Sequence, residues 1–238
     1  MCRIAAPVFA FLLLVAPAVG TADALPDTIR VIDEGSGLEP DYVPGLIGQA
    51  AREYEKLKVL FHNDVGVVTI RLRANGPARH LPPADIVIPA PRVRDGRAVT
   101  AHEITHLLNQ GWANGLLKEG LAVWAQDRVG EQAGWPNEGR LIHQVARAAI
   151  TEADPLVRGP SDANKVLSTR NPGKAKLRRA AYAVAGSWVT WLIETQFAGD
   201  VMRFQAELYR TGNYQAVLGR PFKPLRREWR AYLDRFKP

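Results

Sequence analysis

The chain has 238 residues, 47% of them hydrophobic and 23% charged, an ordinary globular composition in a length that suits one domain with a sizeable core. Its single cysteine, Cys2, lies at the extreme N-terminus, which excludes disulfide bonds and thiolate metal ligands from the rest of the chain. The net charge of +7 is typical of a solvated basic surface or of attraction to acidic partners. No nucleic-acid-binding motif accompanies this charge, so we expect no nucleic-acid partner.

The first 24 residues have the pattern of an export signal. Arg3 supplies a positive start, residues 4–22 carry no charge, and an A-x-A sequence ends at Ala24. We predict cleavage after Ala24, or alternatively after Gly20, and an exported mature domain, periplasmic or secreted, of residues 25–238. An uncleaved membrane anchor is the alternative, but the strongly apolar run (FAFLLLV) is short for a spanning helix. No later segment is apolar enough to span a membrane, so we expect no stable membrane insertion after cleavage.

The N-terminal part of the mature chain predicts a small β-sheet beside one helix. Residues 41–61 have a helical pattern after a lead-in that contains Gly and Pro. Residues 65–73 (VGVVTIRLR) are rich in β-branched side chains and predict a strand. Residues 84–89 (ADIVIP) predict a second, short strand, and its proline favours a position at the sheet edge.

The rest of the chain predicts mostly helices. Gly111 is expected to cap the first of them. Residues 154–176 are rich in Pro, Gly, Ser and Asn and predict a long surface excursion. The predicted helices are residues 98–110, 116–128, 140–152, 179–197, 201–209 and 225–236. The fold class is therefore α+β, with a small N-terminal sheet that has an edge strand, followed by a helical C-terminal part.

One predicted helix carries the sequence HEITH, in which His102, Glu103 and His106 lie together. Positions i and i+4 of an α-helix share one face and are about 6 Å apart along its axis, so both imidazoles can bind one ion. Neutral imidazole suits a tetrahedral zinc ion. Glu103 can reach a metal-bound water without being a ligand itself. The alternative is a solvated helix that carries these residues by chance.

Glu119 is the candidate third ligand, thirteen residues after His106. A turn at residues 111–115 folds the next helix back toward the first, where Glu119 can face both histidines. Its neighbours in LLKEGLAV are apolar, so an inward carboxylate needs a partner, and a divalent cation supplies one. We therefore predict one Zn²⁺ held by His102, His106 and Glu119. An exposed glutamate stabilised by the helix dipole is the alternative.

HEITH followed by KEGLAVW resembles the gluzincins, zinc peptidases in which a glutamate within an E-G-[FL]-A motif on the next helix completes the site. The resemblance is greatest to the compact bacterial peptidase MA-like domains. Residues 181–194 (AYAVAGSW and LIE), 212–219 and 228–233 resemble later parts of the same domains, so the likeness covers roughly residues 84–236. It implies a zincin-like fold for the helical part and a zinc metallopeptidase with a peptide or protein substrate.

The chain also departs from several branches of these enzymes. A metzincin needs Gly at Asn109 and His at Trp112, which excludes that branch. Thermolysin-like enzymes have an Asp where this chain has Val123, so the groups that orient the histidines are not identified. Residues 88–94 (IPAPRVR) lack the Gly-x-Met-x-Asn segment of the aminopeptidases, which favours an endopeptidase over an aminopeptidase.

Three protein ligands leave one position for water, the arrangement of a catalytic zinc site. Glu103 is then the general base that takes a proton from the water and delivers it to the leaving amine. By the resemblance, Tyr182 on a later helix donates to the oxyanion, and a core aromatic is the alternative interpretation of this residue. The predicted edge strand, residues 84–88, is expected to pair with an extended peptide.

Other polar residues give weaker signals. His143 is interpreted as a surface or packing histidine, and His62 and His80 lie in turn-like contexts and receive no role. A basic run precedes Tyr182 and predicts a solvated approach to the helix, although it could orient an acidic substrate. The run consists of Arg170, Lys174, Lys176, Arg178 and Arg179.

Two other functions stay open at this point. One is a zinc-binding but catalytically inactive module that recognises peptides or cell-envelope components. The intact Glu103 argues against it, because a pure binding site does not need that carboxylate. The other is a structural helical protein that holds no metal.

Overall fold

The computed structural model describes residues 27–152, 155–169 and 174–236. The predicted export signal lies outside these described residues, as do two parts of the predicted excursion. The described chain is α+β, with a four-stranded sheet at its N-terminal end and mostly helices after it, which confirms the predicted fold class. Within these residues we find no helix that is both long and apolar enough to cross a membrane.

The sheet contains four strands in the order β1-β2-β4-β3. The strands are β1 (Ile29–Asp33), β2 (Val68–Arg73), β3 (Arg79–Leu81) and β4 (Asp85–Pro89). The first, second and fourth are parallel, and β3 pairs antiparallel to β4 with His80 opposite Ile86. In β2 the inward side chains alternate with half-buried ones, as expected when one face of a strand packs on the core.

The predicted edge position of residues 84–89 is wrong. The strand β4 lies inside the sheet, because the short strand β3 covers its outer side. The proline that suggested an edge, Pro89, is the last residue of β4, where the chain leaves the sheet for a helix. The edge strand next to β4 is therefore β3, which the sequence pattern did not indicate.

Helices make up the remainder of the fold. They are α1 (Tyr42–Phe61), α2 (Ala90–Arg94), α3 (Thr100–Leu108), α4 (Gly115–Val129), α5 (Ile142–Thr151), α6 (Pro160–Leu167), α7 (Ala175–Trp191), α8 (Val201–Phe204), α9 (Tyr214–Leu218) and α10 (Phe222–Leu233). A π-helical turn, Leu192–Gln196, continues α7, and another, Gln205–Tyr209, continues α8. The helix pattern of the sequence thus matches α1, α3, α4, α5, α7 and α10 to within a few residues, and it matches α8 together with its π-helical continuation, whereas α2, α6 and α9 were not predicted.

The predicted surface excursion is more ordered than its composition indicates. Its central part forms α6, which packs against α4 and α7 and buries Ala163 and Val157 beside it. Proline at the first position of α6 is compatible with a helix start, because the first turn leaves its amides unbonded in any case. The description of residues 154–176 as a surface excursion is therefore wrong for α6.

Close packing of α4 on α7 holds the helical part together. A Cβ atom added to Gly120 would lie 2.4 Å from Val189 Cγ2, and one added to Gly186 would lie 2.4 Å from Val123 Cγ1. Both distances are far below van der Waals contact, so the two helices approach as closely as they do because each presents a glycine to the other. This approach fixes the position of Glu119, the residue before Gly120, relative to α7.

Candidate metal centre

The helix α3 places two histidines one turn apart on a single face. All nine of its residues are buried, and His102 and His106 are only 6% and 2% exposed. Their Nε2 atoms lie 3.3 Å apart, and the two rings are nearly perpendicular. The i, i+4 spacing therefore brings two imidazole nitrogens to one point, as the helix period requires.

The chain then turns and brings a carboxylate to the same point. The helix α3 ends at Leu108 with Asn109 as its C-cap, so the predicted cap at Gly111 is wrong, and Gly111 instead takes a left-handed conformation in the connection. Asn114 caps the start of α4, because its side-chain oxygen accepts a hydrogen bond from Leu117 N. Glu119, one turn into α4, is buried and faces α3.

Three ligand atoms form a small triangle. Oε2 of Glu119 lies 3.3 Å from Nε2 of His102 and 3.2 Å from Nε2 of His106. Zinc–ligand bonds of 2.0–2.1 Å at tetrahedral angles require ligand atoms about 3.3 Å apart. The three residues therefore fit a tetrahedral divalent cation with one position left for another ligand. The same donors suit other first-row divalent ions, so the geometry by itself does not select zinc.

The protonation states of these groups agree with cation binding. Burial lowers the pKa of His106 to about 4, so its ring is neutral at neutral pH and offers a lone pair. For Glu119, burial alone raises the pKa, but the attraction of the His106 ring in its protonated form and the hydrogen bonds from both histidines outweigh burial and hold the pKa of Glu119 well below its ordinary value. A neutral imidazole beside an ionised carboxylate is the state that binds a metal ion.

Lys118 holds the second oxygen of the glutamate. Its Nζ lies 3.3 Å from Oε1 of Glu119 and 4.5 Å from the centre of the Trp112 ring. One carboxylate oxygen is thus paired with an ammonium group, while the other faces the histidines. At the sequence level Lys118 carried no distinctive signal, because its role depends on the orientation of the neighbouring glutamate.

A second possible ligand group overlaps with the first. Nδ1 of His80, on β3, lies 3.9 Å from Oε2 of Glu103, and the His80 ring packs on His106 with ring centres 4.5 Å apart. His80, Glu103 and His106 could together approach a cation. The 3.9 Å separation is too long for two ligands of one tetrahedral zinc ion, so the set with Glu119 fits better. His80 has no predicted role, because only the packing of β3 on α3 brings it next to Glu103 and His106.

A cleft of about 400 Å³ opens beside the triangle. Its lining includes Arg92, His102, Glu103, Trp135, Arg178 and Tyr182. The predicted general base and the predicted oxyanion donor therefore share one cavity with a predicted ligand. Burial, together with the carboxylates of Glu119 and Glu103, raises the pKa of Tyr182 well above its ordinary value, so its hydroxyl stays protonated and can donate. Its ring packs against Trp135 and lies 6.0 Å from the His102 ring.

Val123 stands where thermolysin-like enzymes have an Asp, and its side chain packs in the core and makes no hydrogen bond. Val123 is buried and lies against Gly186 of α7. The Nδ1 atoms of His102 and His106 have no hydrogen-bond partner among the residues that the structure describes. The neighbourhood of Val123 therefore supplies no group that orients the two rings.

The other histidines lie elsewhere. His143 is buried, and its Nδ1 lies 2.8 Å from Oγ of Ser187, which also accepts a hydrogen bond from Trp229 Nε1 at 3.0 Å. It is a packing histidine, one of the two interpretations of the sequence. His62 caps α1 at the surface with a left-handed backbone.

The basic run before Tyr182 divides in the structure. Lys176 pairs with Glu152 at 3.1 Å and Arg179 with Glu138 at 2.9 Å, both at the surface. Arg178 instead lines the cleft. Arg170 lies outside the described residues.

Comparisons with known proteins add no assignment. No protein-family model matches the chain, and a search of curated proteins finds no match. The resemblance to gluzincins therefore stays a prediction that depends on the motifs and on the geometry above.

Proposed function

We propose that this protein is an exported zinc-dependent metallopeptidase, with His102, His106 and Glu119 as the zinc ligands. The observation that carries the proposal is the triangle of buried ligand atoms, 3.2–3.3 Å apart, one of whose residues, His102, lines a cleft. A structural helix has no need of two buried histidines and a buried glutamate around one point, because such groups are costly to bury without a partner. The exported location depends on the N-terminal pattern alone.

The chemistry follows from the residues around the cleft. Zinc held by these three residues would supply a Lewis acid for activating a water molecule and polarising the scissile carbonyl. Glu103 is the proposed general base, which accepts the proton of the attacking water on a carboxylate oxygen and passes it to the leaving amine. Tyr182 is the proposed donor to the oxyanion, because its protonated hydroxyl belongs to the same cleft.

The substrate is proposed to be a peptide or protein segment in extended form. The strand β3 ends the sheet on the side of α3 and carries His80 next to Glu103. An edge strand leaves backbone groups free to pair with an added strand. We propose that β3 (Arg79–Leu81), and not residues 84–88, pairs with the extended peptide, which favours an endopeptidase over an aminopeptidase.

The alternative is a zinc-binding module without catalysis. The position of Glu103 argues against it, since this buried carboxylate lines the cleft beside the ligands and is not one of the three that fit the ion. A site that only binds zinc gains nothing from a further buried carboxylate, which is costly to desolvate.

Metal analysis together with hydrolysis of a mixed peptide library tests the proposal. Wild-type protein should contain about one zinc per chain and cleave peptides, and a chelator should abolish the cleavage. Glu103→Gln should keep the zinc, but its rate of peptide cleavage should fall about a hundredfold or more, because a general base accelerates such a reaction by 10²–10⁴-fold. His106→Ala should lose the zinc. Tyr182→Phe should keep the zinc and turn over more slowly.

The surface variant Glu55→Gln is the matched control. Glu55 is exposed on α1, so this substitution removes the same negative charge away from the cleft. Wild-type protein that is folded and binds no divalent metal would refute the metal site and the peptidase together. Zinc binding without any peptide cleavage favours the inactive binding module.

A further inference from the structure

Two arginines face the cleft beside the proposed catalytic groups. Arg92 comes from α2 and Arg178 from α7, one turn before Tyr182. Both line the same cavity as Glu103, and both are half-buried. Elements that are distant in sequence thus bring two positive charges to the lining of one cleft.

Among the described residues, neither arginine has a carboxylate partner of its own. No ion pair within 4.0 Å involves Arg92 or Arg178 in the described part of the chain, whereas Arg71 and Arg179, similarly exposed, pair with acidic groups at 2.6–2.9 Å. The Nε atom of Arg178 is buried and lacks a hydrogen-bond partner among the described residues. A buried guanidinium N–H without an acceptor is unfavourable, and the Tyr182 hydroxyl beside Arg178 carries no charge to balance it, so the site favours an anion.

The charges around Arg92 also favour the binding of an anion. Burial lowers the pKa of Arg92. The charge of Glu103 raises this pKa, whereas the charges of Arg178 and Arg97 lower it further. Among the described residues that line the cleft, Glu103 is the one carboxylate, and the proposed reaction needs it for proton transfer. Two guanidinium groups therefore face one carboxylate, so the lining of the cleft keeps a net positive charge.

We propose that Arg92 and Arg178 bind a carboxylate of the substrate, so that the cleft selects peptides with an acidic side chain or a free C-terminal carboxylate next to the bond that is cleaved. The planar guanidinium forms paired hydrogen bonds with a carboxylate, which makes arginine well suited to such a site. The substrate class rests on the proposed peptidase function, but carboxylate binding by the two arginines can be measured without hydrolysis.

Peptide binding to the Glu103→Gln protein tests the inference by isothermal titration calorimetry. One peptide pair, acetyl-AADAA-amide and acetyl-AANAA-amide, differs only by a side-chain carboxylate. A second pair, acetyl-AAAAA with a free C-terminal acid or as the amide, differs only at the terminus. Each pair is titrated into zinc-loaded protein and into metal-free protein, because a carboxylate can also bind to the metal itself.

In at least one pair we expect the carboxylate peptide to bind about tenfold more tightly than its neutral partner, with or without zinc, as hydrogen bonds to a charged group predict. The pair that shows the difference identifies the source of the carboxylate. The difference should disappear in a variant that adds Arg92→Gln and Arg178→Gln. It should persist with Arg227→Gln, which removes one charge at an exposed site on α10.

Three results would overturn the inference: equal binding within both pairs, a preference that survives removal of both arginines, and a preference that needs zinc. Hydrolysis by the zinc-loaded wild type separates this failure from failure of the proposed function. Equal cleavage of acidic and neutral peptides overturns the inference and keeps the peptidase. Arginine-dependent binding without cleavage of any peptide supports the carboxylate site and overturns the peptidase.

Discussion

Replacing Gly120 with alanine tests whether helix packing holds the metal ligands in place. The added Cβ would lie 2.4 Å from Val189 Cγ2 and 2.5 Å from the backbone oxygen of Ala185, where ordinary contacts are 3.4 Å or more. The backbone oxygen cannot rotate away, so α4 and α7 must separate by about 1 Å. Glu119, the preceding residue, moves with α4.

Two opposing contributions determine how Gly120→Ala changes the free energy of unfolding. Alanine in a helix interior is favoured over glycine by about 1 kcal/mol. Overpacking of a dense core costs about 1–3 kcal/mol, and a clash with backbone belongs at the upper end of that range. We expect Gly120→Ala to lower the free energy of unfolding by about 1–2 kcal/mol. A 1 Å displacement of Glu119 also disturbs its 3.2 Å spacing from His106 Nε2, so zinc affinity should fall about tenfold or more.

Urea unfolding of metal-free protein measures the first effect, and competition with a zinc chelator measures the second. Gly45→Ala is the control, because Gly45 lies in α1 and its added Cβ would meet no atom within 4 Å. It should stabilise the protein by up to about 1 kcal/mol and leave zinc affinity unchanged. If Gly120→Ala is as stable as wild type and binds zinc equally well, the α4–α7 contact does not position the ligands.

Three more predictions concern metal and pH. Zinc at a hundred times its Kd should stabilise the fold by about 2.7 kcal/mol, a rise in Tm of roughly 5–11 °C, and His106→Ala should abolish the shift; equal melting with and without zinc would contradict the site. Burial lowers the pKa of His143 to about 4 from 6.5, so wild type should lose roughly 3 kcal/mol of stability as the pH falls from 6.5 to 4, measured by urea unfolding. His143→Gln should lack this loss, and parallel pH profiles would refute the assignment. Burial raises the pKa of Glu53 despite hydrogen bonds from Thr100, Glu131 N and Gln49, so its contribution to stability is fully present below pH 4.5 and is lost as the pH rises from 4.5 through the folded pKa. Glu53→Gln should therefore gain stability relative to wild type between pH 4 and 7, and a constant difference would argue against a raised pKa.

The local part of the candidate site was predictable from the sequence. HEITH needs only the helix period to bring His102 and His106 to one face. The short turn before α4 explains why Glu119 lies near the two histidines. Because α4 begins at a capping Asn114 only a few residues after α3 ends, it has few ways to fold back on α3. Apolar patterning likewise indicated the long helices: α1 buries one face, whereas α4 and α7 have long stretches that are buried all round.

Other features depend on contacts between segments that are far apart in the chain. The sequence indicates that residues 84–89 form a strand, but strand order depends on β3, a three-residue segment with little pattern of its own. His80 reaches Glu103 only because β3 packs on α3. In the same way, Arg92 has no distinctive signal in the sequence, and only the packing of α7 shows that Arg178 is the member of the basic run that lines the cleft.

The sequence by itself therefore determined the ligand types, their spacing and the helices that carry them, because these follow from local hydrogen bonding and side-chain period. The tertiary structure decided which strand forms the edge, how closely α4 meets α7, and which charges line the cleft. Those outcomes depend on the packing of distant elements around one core, which no local pattern encodes.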